Sequence, residues 1–262
     1  MSFDPAPVAA ALFAARRARQ TVVRLPTGVA PNSLSDGAVA QVALATLMGA
    51  MPPAGFKIGG TSRQMQAYLG LNHAIAGFMP QTGLHASGAV VAWDDFRGPG
   101  TECELAVRLA ADLPAGCDAA MAGDAVGDMF AAIEIVENRY GAPPAGDLAA
   151  LGVPTLIADQ VYHAAAVLGA PADWRALDLA TTPGRIEVDG TVRGSGEGRD
   201  LLGHPLRALA WLAGSAEVAA FGGLRAGQVV MLGSVTPPIW LDGPCTVQVT
   251  FAGFAPVTVT FD

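Results

Sequence analysis

The chain changes character near residue 80. Upstream, alanine-rich stretches at residues 6–20 and 35–50 carry apolar side chains at helical spacing, and a third, short helix is expected over 62–70. The second stretch has a capping region in Ser33-Leu34-Ser35-Asp36 and is stopped by Pro52-Pro53, while Ser62 and Gly70 bracket the third. Downstream, short β-branched runs at 88–93, 102–109, 131–136, 185–188, 229–232, 246–251 and 257–261 are separated by glycine, proline and aspartate. Asp189-Gly190, between Ile186-Glu187-Val188 and Thr191-Val192, is a two-residue hairpin signal. A helix over Pro205 to Ala213, continued by a second to about Ala220, interrupts the strand pattern. The expectation is an α+β fold, with a small helical part over residues 1–80 and a β-rich body over 81–262. No internal repeat occurs, and the glycines from Gly194 to Gly198 lack the lysine and spacing of a phosphate loop.

Composition excludes several classes. Although 52% of residues are hydrophobic, no uninterrupted apolar run reaches the roughly 18 residues of a membrane-spanning helix. The apolar stretch from Val8 to Ala15 runs into Arg16-Arg17-Ala18-Arg19, the reverse of a signal-peptide order, so a soluble cytoplasmic protein is expected. A net charge of −8 with no basic stripe argues against nucleic-acid binding. Cys103, Cys117 and Cys245 show no metal-type spacing and are odd in number, which argues against a disulfide framework. An acidic protein that takes an anionic substrate needs a local cation, and a bound divalent metal would supply one.

Of the 15 lysines and arginines, only Lys57, in Gly55-Phe56-Lys57-Ile58-Gly59-Gly60-Thr61-Ser62, is a lysine. Arginine keeps its proton in a protein, whereas burial can tune an ammonium until it releases one. Lys57 is therefore a candidate proton carrier, although a composition biased toward arginine also leaves a single lysine by chance. Glu102 and Glu104 are two residues apart, so on a strand both carboxylates face one way, with Cys103 and Leu105 the other. Glu134 sits in a second strand and faces opposite to Ile133 and Ile135. Three convergent carboxylates without histidine would form a hard, all-oxygen site suited to Mg²⁺ or Mn²⁺. The same spacing fits solvated outward positions on an edge sheet.

In their order along the chain, Phe56-Lys57-Ile58-Gly59-Gly60-Thr61-Ser62, the Glu102-x-Glu104 pair and Ala132-Ile133-Glu134-Ile135-Val136-Glu137-Asn138-Arg139 are similar to a known family. So are Leu202-Gly203-His204-Pro205, Leu224 to Val230 and Gly233-Ser234-Val235-Thr236. Together they resemble the 2-keto-4-pentenoate hydratase and 4-oxalocrotonate decarboxylase group of the fumarylacetoacetate hydrolase superfamily. The resemblance implies a mixed-sheet β-roll behind an N-terminal helical part. It also implies a divalent Mg²⁺ or Mn²⁺ held by Glu102, Glu104 and Glu134, with Lys57 as the proton-transferring lysine. Arg139 would clamp a substrate carboxylate or pair with Glu137 or Asp147. Thr61, Ser62, Ser234 and Thr236 would offer hydroxyls to substrate, Ser62 also being placed to cap a helix. His85, His163 and His204 read as structural, and Trp93, Trp174, Trp211 and Trp240 as core or interface.

One departure stands out: where the family has an acidic residue followed by an aromatic, this chain has Ile75 and Ala76. His73 nearby is a candidate substitute base. The implied activity is a metal-dependent lyase, first a hydratase converting a 2-hydroxy-2,4-dienoate into a 4-hydroxy-2-oxo acid, then a decarboxylase of 4-oxalocrotonate type. C–C hydrolysis of an acylpyruvate ranks lower, because that reaction uses a Glu-His pair in an N-terminal lid and residues 1–72 contain neither residue type. A non-catalytic partner subunit is the remaining reading, against which the intact glutamates and Lys57 argue. The family also leads us to expect a homo-oligomer that associates with a related pathway enzyme.

Overall fold

The computed structural model describes residues 3–141 and 148–262. The chain begins with α1 (Ala6–Arg17) and α2 (Leu34–Leu47), followed by β1 (Gly55–Gly59), α3 (Arg63–Leu69) and β2 (Ile75–Met79). Two short strands, β3 (Leu84–Ala86) and β4 (Ala89–Val91), lead to the long pair β5 (Pro99–Leu109) and β6 (Val126–Glu137), with α4 (Ala119–Ala125) between them. Next come α5 (Leu148–Leu151), α6 (Val153–Ala158), β7 (His163–Pro171) and the hairpin of β8 (Pro183–Val188) and β9 (Thr191–Glu197). Finally α7 (Pro205–Ala213) and α8 (Ala216–Ala220) precede β10 (Val229–Ser234), β11 (Ile239–Trp240), β12 (Cys245–Phe251) and β13 (Val257–Phe261).

An eight-stranded mixed sheet runs β2-β1-β10-β5-β6-β7-β3, with β11 paired to β5, and a five-stranded sheet runs β4-β13-β12-β8-β9. The two share one apolar core, in which Leu105, Val107, Ile133 and Val230 of the large sheet join Ile186, Val247, Val249 and Val259 of the small one. Helices α1, α2 and α6 enclose a second cluster around Val8, Leu12, Leu44 and Ile157. The α+β roll expected from the sequence is the fold observed.

Local signals explain several boundaries. Ser33 and Asp36 form a reciprocal capping box on α2, and Ser62 Oγ accepts the Met65 N–H at the start of α3. Asp189 and Gly190 both have positive φ, as a two-residue hairpin between right-twisted strands requires. Two strands, β1 and β2, fall before residue 80, so Lys57 is on a sheet strand and not in a helical part. Gly-Phe-Lys-Ile-Gly has little β-propensity of its own. It is held by parallel pairing to β10 and antiparallel pairing to β2. The alanine-rich β7 likewise carries no strand signal and is fixed by β6 and β3 on either side. Among the described residues, no helix is long and apolar enough to cross a membrane.

Candidate metal centre and active-site cavity

Strand alternation and register bring the singled-out residues together. On β1, Phe56 and Ile58 enter the shared core, which turns Lys57 to the opposite face of the sheet. On β5 and β6, Cys103, Leu105, Ile133 and Ile135 fill that core, and the glutamates between them face the same way as Lys57. Glu102 is directly opposite Glu134 in the antiparallel register, and Glu104 lies opposite Ser234 across β10. One carboxylate oxygen from each of Glu102, Glu104 and Glu134 lies within 4.8 Å of the others. The solvated-sheet alternative is therefore set aside: Glu104 and Glu134 have no exposed surface, Glu102 retains 9% and Lys57 2%.

Lys57 Nζ donates to the Val161 carbonyl at 2.5 Å and stands 3.2 Å from Glu134 Oε1. The same oxygen accepts from His163 Nδ1 at 2.9 Å. Glu104 Oε2 accepts the Gly233 N–H at 2.9 Å. Gly233 sits in the β10 irregularity at φ +103°, and a Cβ there would come within 2.3 Å of Thr61 Cγ2. Only glycine fits this turn, and the turn aims a backbone donor at the glutamate.

These contacts distribute charge unevenly. Burial and the neighbouring Glu134 charge push Glu102 up to about 8. Burial, then Glu134 and Glu102, raise Glu104 well above the usual carboxylate range. Burial would also raise Glu134, but the Lys57 ammonium and the His163 hydrogen bond outweigh it and lower Glu134 to about 2. His163 is held down chiefly by burial, so its neutral ring donates Nδ1–H to Glu134. Ionising all three buried carboxylates beside one lysine would leave negative charge uncompensated, which is why Glu102 and Glu104 are held up while Glu134 is held down. Glu104 Oε1 and Glu134 Oε2 are buried without a hydrogen-bond partner among the described residues. Unpaired hard oxygens on carboxyls that ionise together only beside a further cation fit a divalent ion of the Mg²⁺ or Mn²⁺ class, and Glu102, Glu104 and Glu134 would hold it.

Lys57, Thr61, Glu102 and Ser234 line a small cavity together with Met65, Leu69, Val161, Tyr162 and Trp240. The other expected substrate contacts lie elsewhere. Ser62 caps α3, and Thr236 donates its N–H to Ser234 Oγ at 3.2 Å without lining the cavity. Arg139 is also not at the cavity. Its Nε pairs with Asp159 Oδ2 at 2.9 Å, and its terminal nitrogens bond Glu137 Oε2 and the carbonyls of His163 and Asp159. The substrate clamp expected of Arg139 is thus not what the geometry provides: its guanidinium is buried among Asp159, Glu137 and the His163 carbonyl, off the cavity lining. Asp147, its other expected partner, lies outside the described residues. His73 bonds the Ala74 carbonyl and does not line the cavity. The Ala76 N–H donates to Glu217 Oε1, so at the departure from the family pattern a carboxylate arrives from α8 instead.

Sequence reasoning missed His163 and the turn before it. Gln160, Val161 and Tyr162 have φ of 62°, 54° and 68°, three successive non-glycine residues in the left-handed region. Each costs roughly 1–3 kcal/mol unless its surroundings fix it. Here Gln160 Nε2 bonds the Phe78 carbonyl, Glu137 N–H bonds the Tyr162 carbonyl, and Arg16 and Arg139 both grip Asp159. Nothing in Gln-Val-Tyr signals such a conformation.

The family described as fumarylacetoacetate (FAA) hydrolase C-terminal matches residues 58–262. The chain is 32% identical over 209 residues to a 2-keto-4-pentenoate hydratase from Burkholderia vietnamiensis, covering 79% of this chain and 77% of that one. It is 28% identical over 211 residues to a 4-oxalocrotonate decarboxylase from Pseudomonas putida, covering 79% and 76%. Its fold matches that of a 4-oxalocrotonate decarboxylase from Pseudomonas putida G7, complexed with magnesium and adipate. The TM-score is 0.87 at 23% identity, over 98% of this chain and 97% of the other.

Proposed function

Because the chain belongs to the hydratase–decarboxylase group of the fumarylacetoacetate hydrolase family, we propose that it is a divalent-metal-dependent hydratase. Its substrate would be a 2-hydroxy-2,4-dienoate of the 2-keto-4-pentenoate type, and its product a 4-hydroxy-2-oxo acid. One observation carries the proposal: the convergence within 4.8 Å of three buried glutamate oxygens in a site whose Glu134 pairs with Lys57.

A divalent ion bound by Glu102, Glu104 and Glu134 would supply Lewis-acid stabilisation of negative charge developing on the substrate C2 oxygen. The chain's own groups do the rest. Lys57 lines the cavity and has two neighbours, Val161 O and Glu134 Oε1, which leaves one ammonium hydrogen to face the substrate. Lys57 would deliver that hydrogen to the chain carbon and take up the proton lost from the C2 enol hydroxyl, producing the α,β-unsaturated ketone to which water adds at C4. Thr61 and Ser234 offer hydroxyls beside it. His163 holds Glu134 by one oxygen, and the other, buried without a hydrogen-bond partner among the described residues, would be available to ligate the ion.

The test is loss of dienol absorbance from 2-hydroxypenta-2,4-dienoate with Mg²⁺ or Mn²⁺, with CO₂ release from 4-oxalocrotonate followed in parallel. Turnover without CO₂ supports the hydratase. CO₂ release supports a decarboxylase, the second reading, which the similarity to 4-oxalocrotonate decarboxylase favours. Full activity in excess chelator would sink both.

A further inference from the structure

We infer that Asp159, gripped by Arg16 and Arg139, is a positioning residue for the reaction: it fixes the main-chain turn that aims the Lys57 ammonium and steadies Glu134. This rests on the lyase reading for what Lys57 does, and extends it to three side chains that do not line the cavity. The turn runs from Asp159 to His163 and supplies two contacts, the Val161 carbonyl to Lys57 Nζ and the His163 ring to Glu134 Oε1. Its middle residues, Gln160, Val161 and Tyr162, all have positive φ, so local preference does not hold its shape. Asp159 is buried at its start. One of its carboxylate oxygens accepts from Arg16 Nε at 2.6 Å. The other accepts from Arg139 Nε at 2.9 Å and from the Tyr140 hydroxyl at 2.8 Å. The two guanidiniums also donate to the Asp159 carbonyl, at 2.9 and 3.0 Å. Arg139 then reaches the His163 carbonyl at 3.2 Å, so a single side chain clamps both ends of the turn.

The sheet seats the turn from the other side. A Cβ on Gly77 would come within 2.7 Å of the Gln160 carbonyl oxygen, and one on Gly59 within 2.8 Å of Val161 Cγ1. Gly77 is the register partner of Lys57, and Gly59 follows it by two on the same face of β1, so the turn lies directly over the lysine. Gln160 Nε2 ties it to the Phe78 carbonyl of β2 at 2.8 Å. The Val161 carbonyl is therefore located by charge on one side and by close packing on the other. Removing the Asp159 charge releases the first of these. The turn can then relax and draw its carbonyl away from Nζ, while Glu102, Glu104 and Glu134 stay on their strands. Reaction rates are steep in such placement, with about 10²-fold lost for a 1 Å error. Arg16 belongs to α1, so the first helix of the chain bears on the reactive lysine through this one carboxylate.

Because Lys57 is the only lysine, labelling the full chain with [ε-¹³C]lysine gives one side-chain signal, which tests the inference with Mg²⁺ present. With the ammonium held, the two Cε protons should differ in chemical shift. In Asp159→Asn they should draw together toward the averaged position of a free lysine. Dienoate kcat should fall about 10–100-fold in that variant, with KM changed by less than about threefold. Arg16→Met removes one grip and leaves the Asp159–Arg139 pair, so both readouts should move the same way by less, and it decides the matter if Asp159→Asn does not fold. Val247→Ala, which opens a cavity in the small sheet, should lower stability and leave both readouts at wild-type values. An unmoved lysine signal in the folded network variants overturns the inference, as does a moved signal with wild-type kcat. Movement of both readouts in Val247→Ala overturns it too, since loosening alone would then account for them. Absence of turnover by the wild-type chain removes the lyase reading, and the lysine signal still decides whether Asp159 places Lys57.

Discussion

Lys57 Nζ stands 3.2 Å from Glu134 Oε1, with both side chains buried. The pair joins the proposed proton carrier to a proposed metal ligand, so neither can be altered without disturbing the other. Breaking a buried ion pair by removing one partner leaves an uncompensated charge. Each of the following outcomes draws on that coupling or on the contacts around it.

Lys57→Ala should lower dienol turnover by about 10²–10⁴-fold, the usual scale of a lost general acid–base. Lys57→Arg should do no better, because the guanidinium keeps its charge but does not exchange its proton. Steady-state kinetics on both variants, with far-ultraviolet circular dichroism as a folding control, checks this. Recovery of activity in the arginine variant would count against proton transfer.

His163→Ala removes the donor on Glu134 Oε1. Mg²⁺ or Mn²⁺ affinity measured by calorimetry should fall about 10–100-fold, the effect typical of losing a partner that orients a ligand. Unchanged affinity would make His163 a packing residue only.

Gly233→Ala should destabilise the fold by roughly 1–3 kcal/mol, the cost of a side chain in a disallowed backbone region. The new Cβ also clashes with Thr61, and the shift moves the N–H that bonds Glu104. Urea denaturation and metal titration should therefore both respond.

The metal dependence of stability is a separate check. An ion that binds only the folded chain adds about 2.7 kcal/mol at 100 times its dissociation constant. Mg²⁺ should raise the thermal midpoint and chelator should reverse the rise. A Glu102→Gln, Glu104→Gln double variant should no longer respond to Mg²⁺.

Two carboxylates give opposite pH dependences. Burial works to raise Asp159, but Arg139 and Arg16 outweigh it and the net shift is downward. Its contribution is complete above the ordinary aspartate value of about 3.9 and is lost as pH falls through the lower folded value. Glu217 is shifted up, mainly by burial. It therefore lowers stability as pH rises from about 4.3 through its raised folded value. Denaturation against pH should show a flattened acid limb in Asp159→Asn. In Glu217→Gln, the decline on the neutral side should be the one that flattens, with the Ala76 hydrogen bond kept by the amide oxygen.

Period-two patterning made the glutamate pairs legible, because Cys103, Leu105, Ile133 and Ile135 had to face a core and left Glu102, Glu104 and Glu134 on the other face. The hairpin at Asp189-Gly190 and the caps at Ser33 and Ser62 were legible for the same reason: one or two residues fix the local geometry. Strands β1 and β7 were not, since their conformation comes from neighbours paired on both sides. His163 read as structural because its role depends on a partner 29 residues away. Arg139 misled, because a guanidinium after a ligand strand looks the same in sequence whether it meets a substrate or Asp159.

The Val161 carbonyl that receives the Lys57 proton donor belongs to the main chain. The side chains of Val161 and Tyr162 can therefore be exchanged while the lysine keeps its acceptor, provided the left-handed turn survives and Gln160 and His163 keep their own bonds. Tyr162, on that turn, belongs to the wall that shapes what enters, so the segment divides its work between a constant backbone and a variable surface. A redesign of selectivity could start at Tyr162 and leave the Val161 carbonyl to hold Lys57.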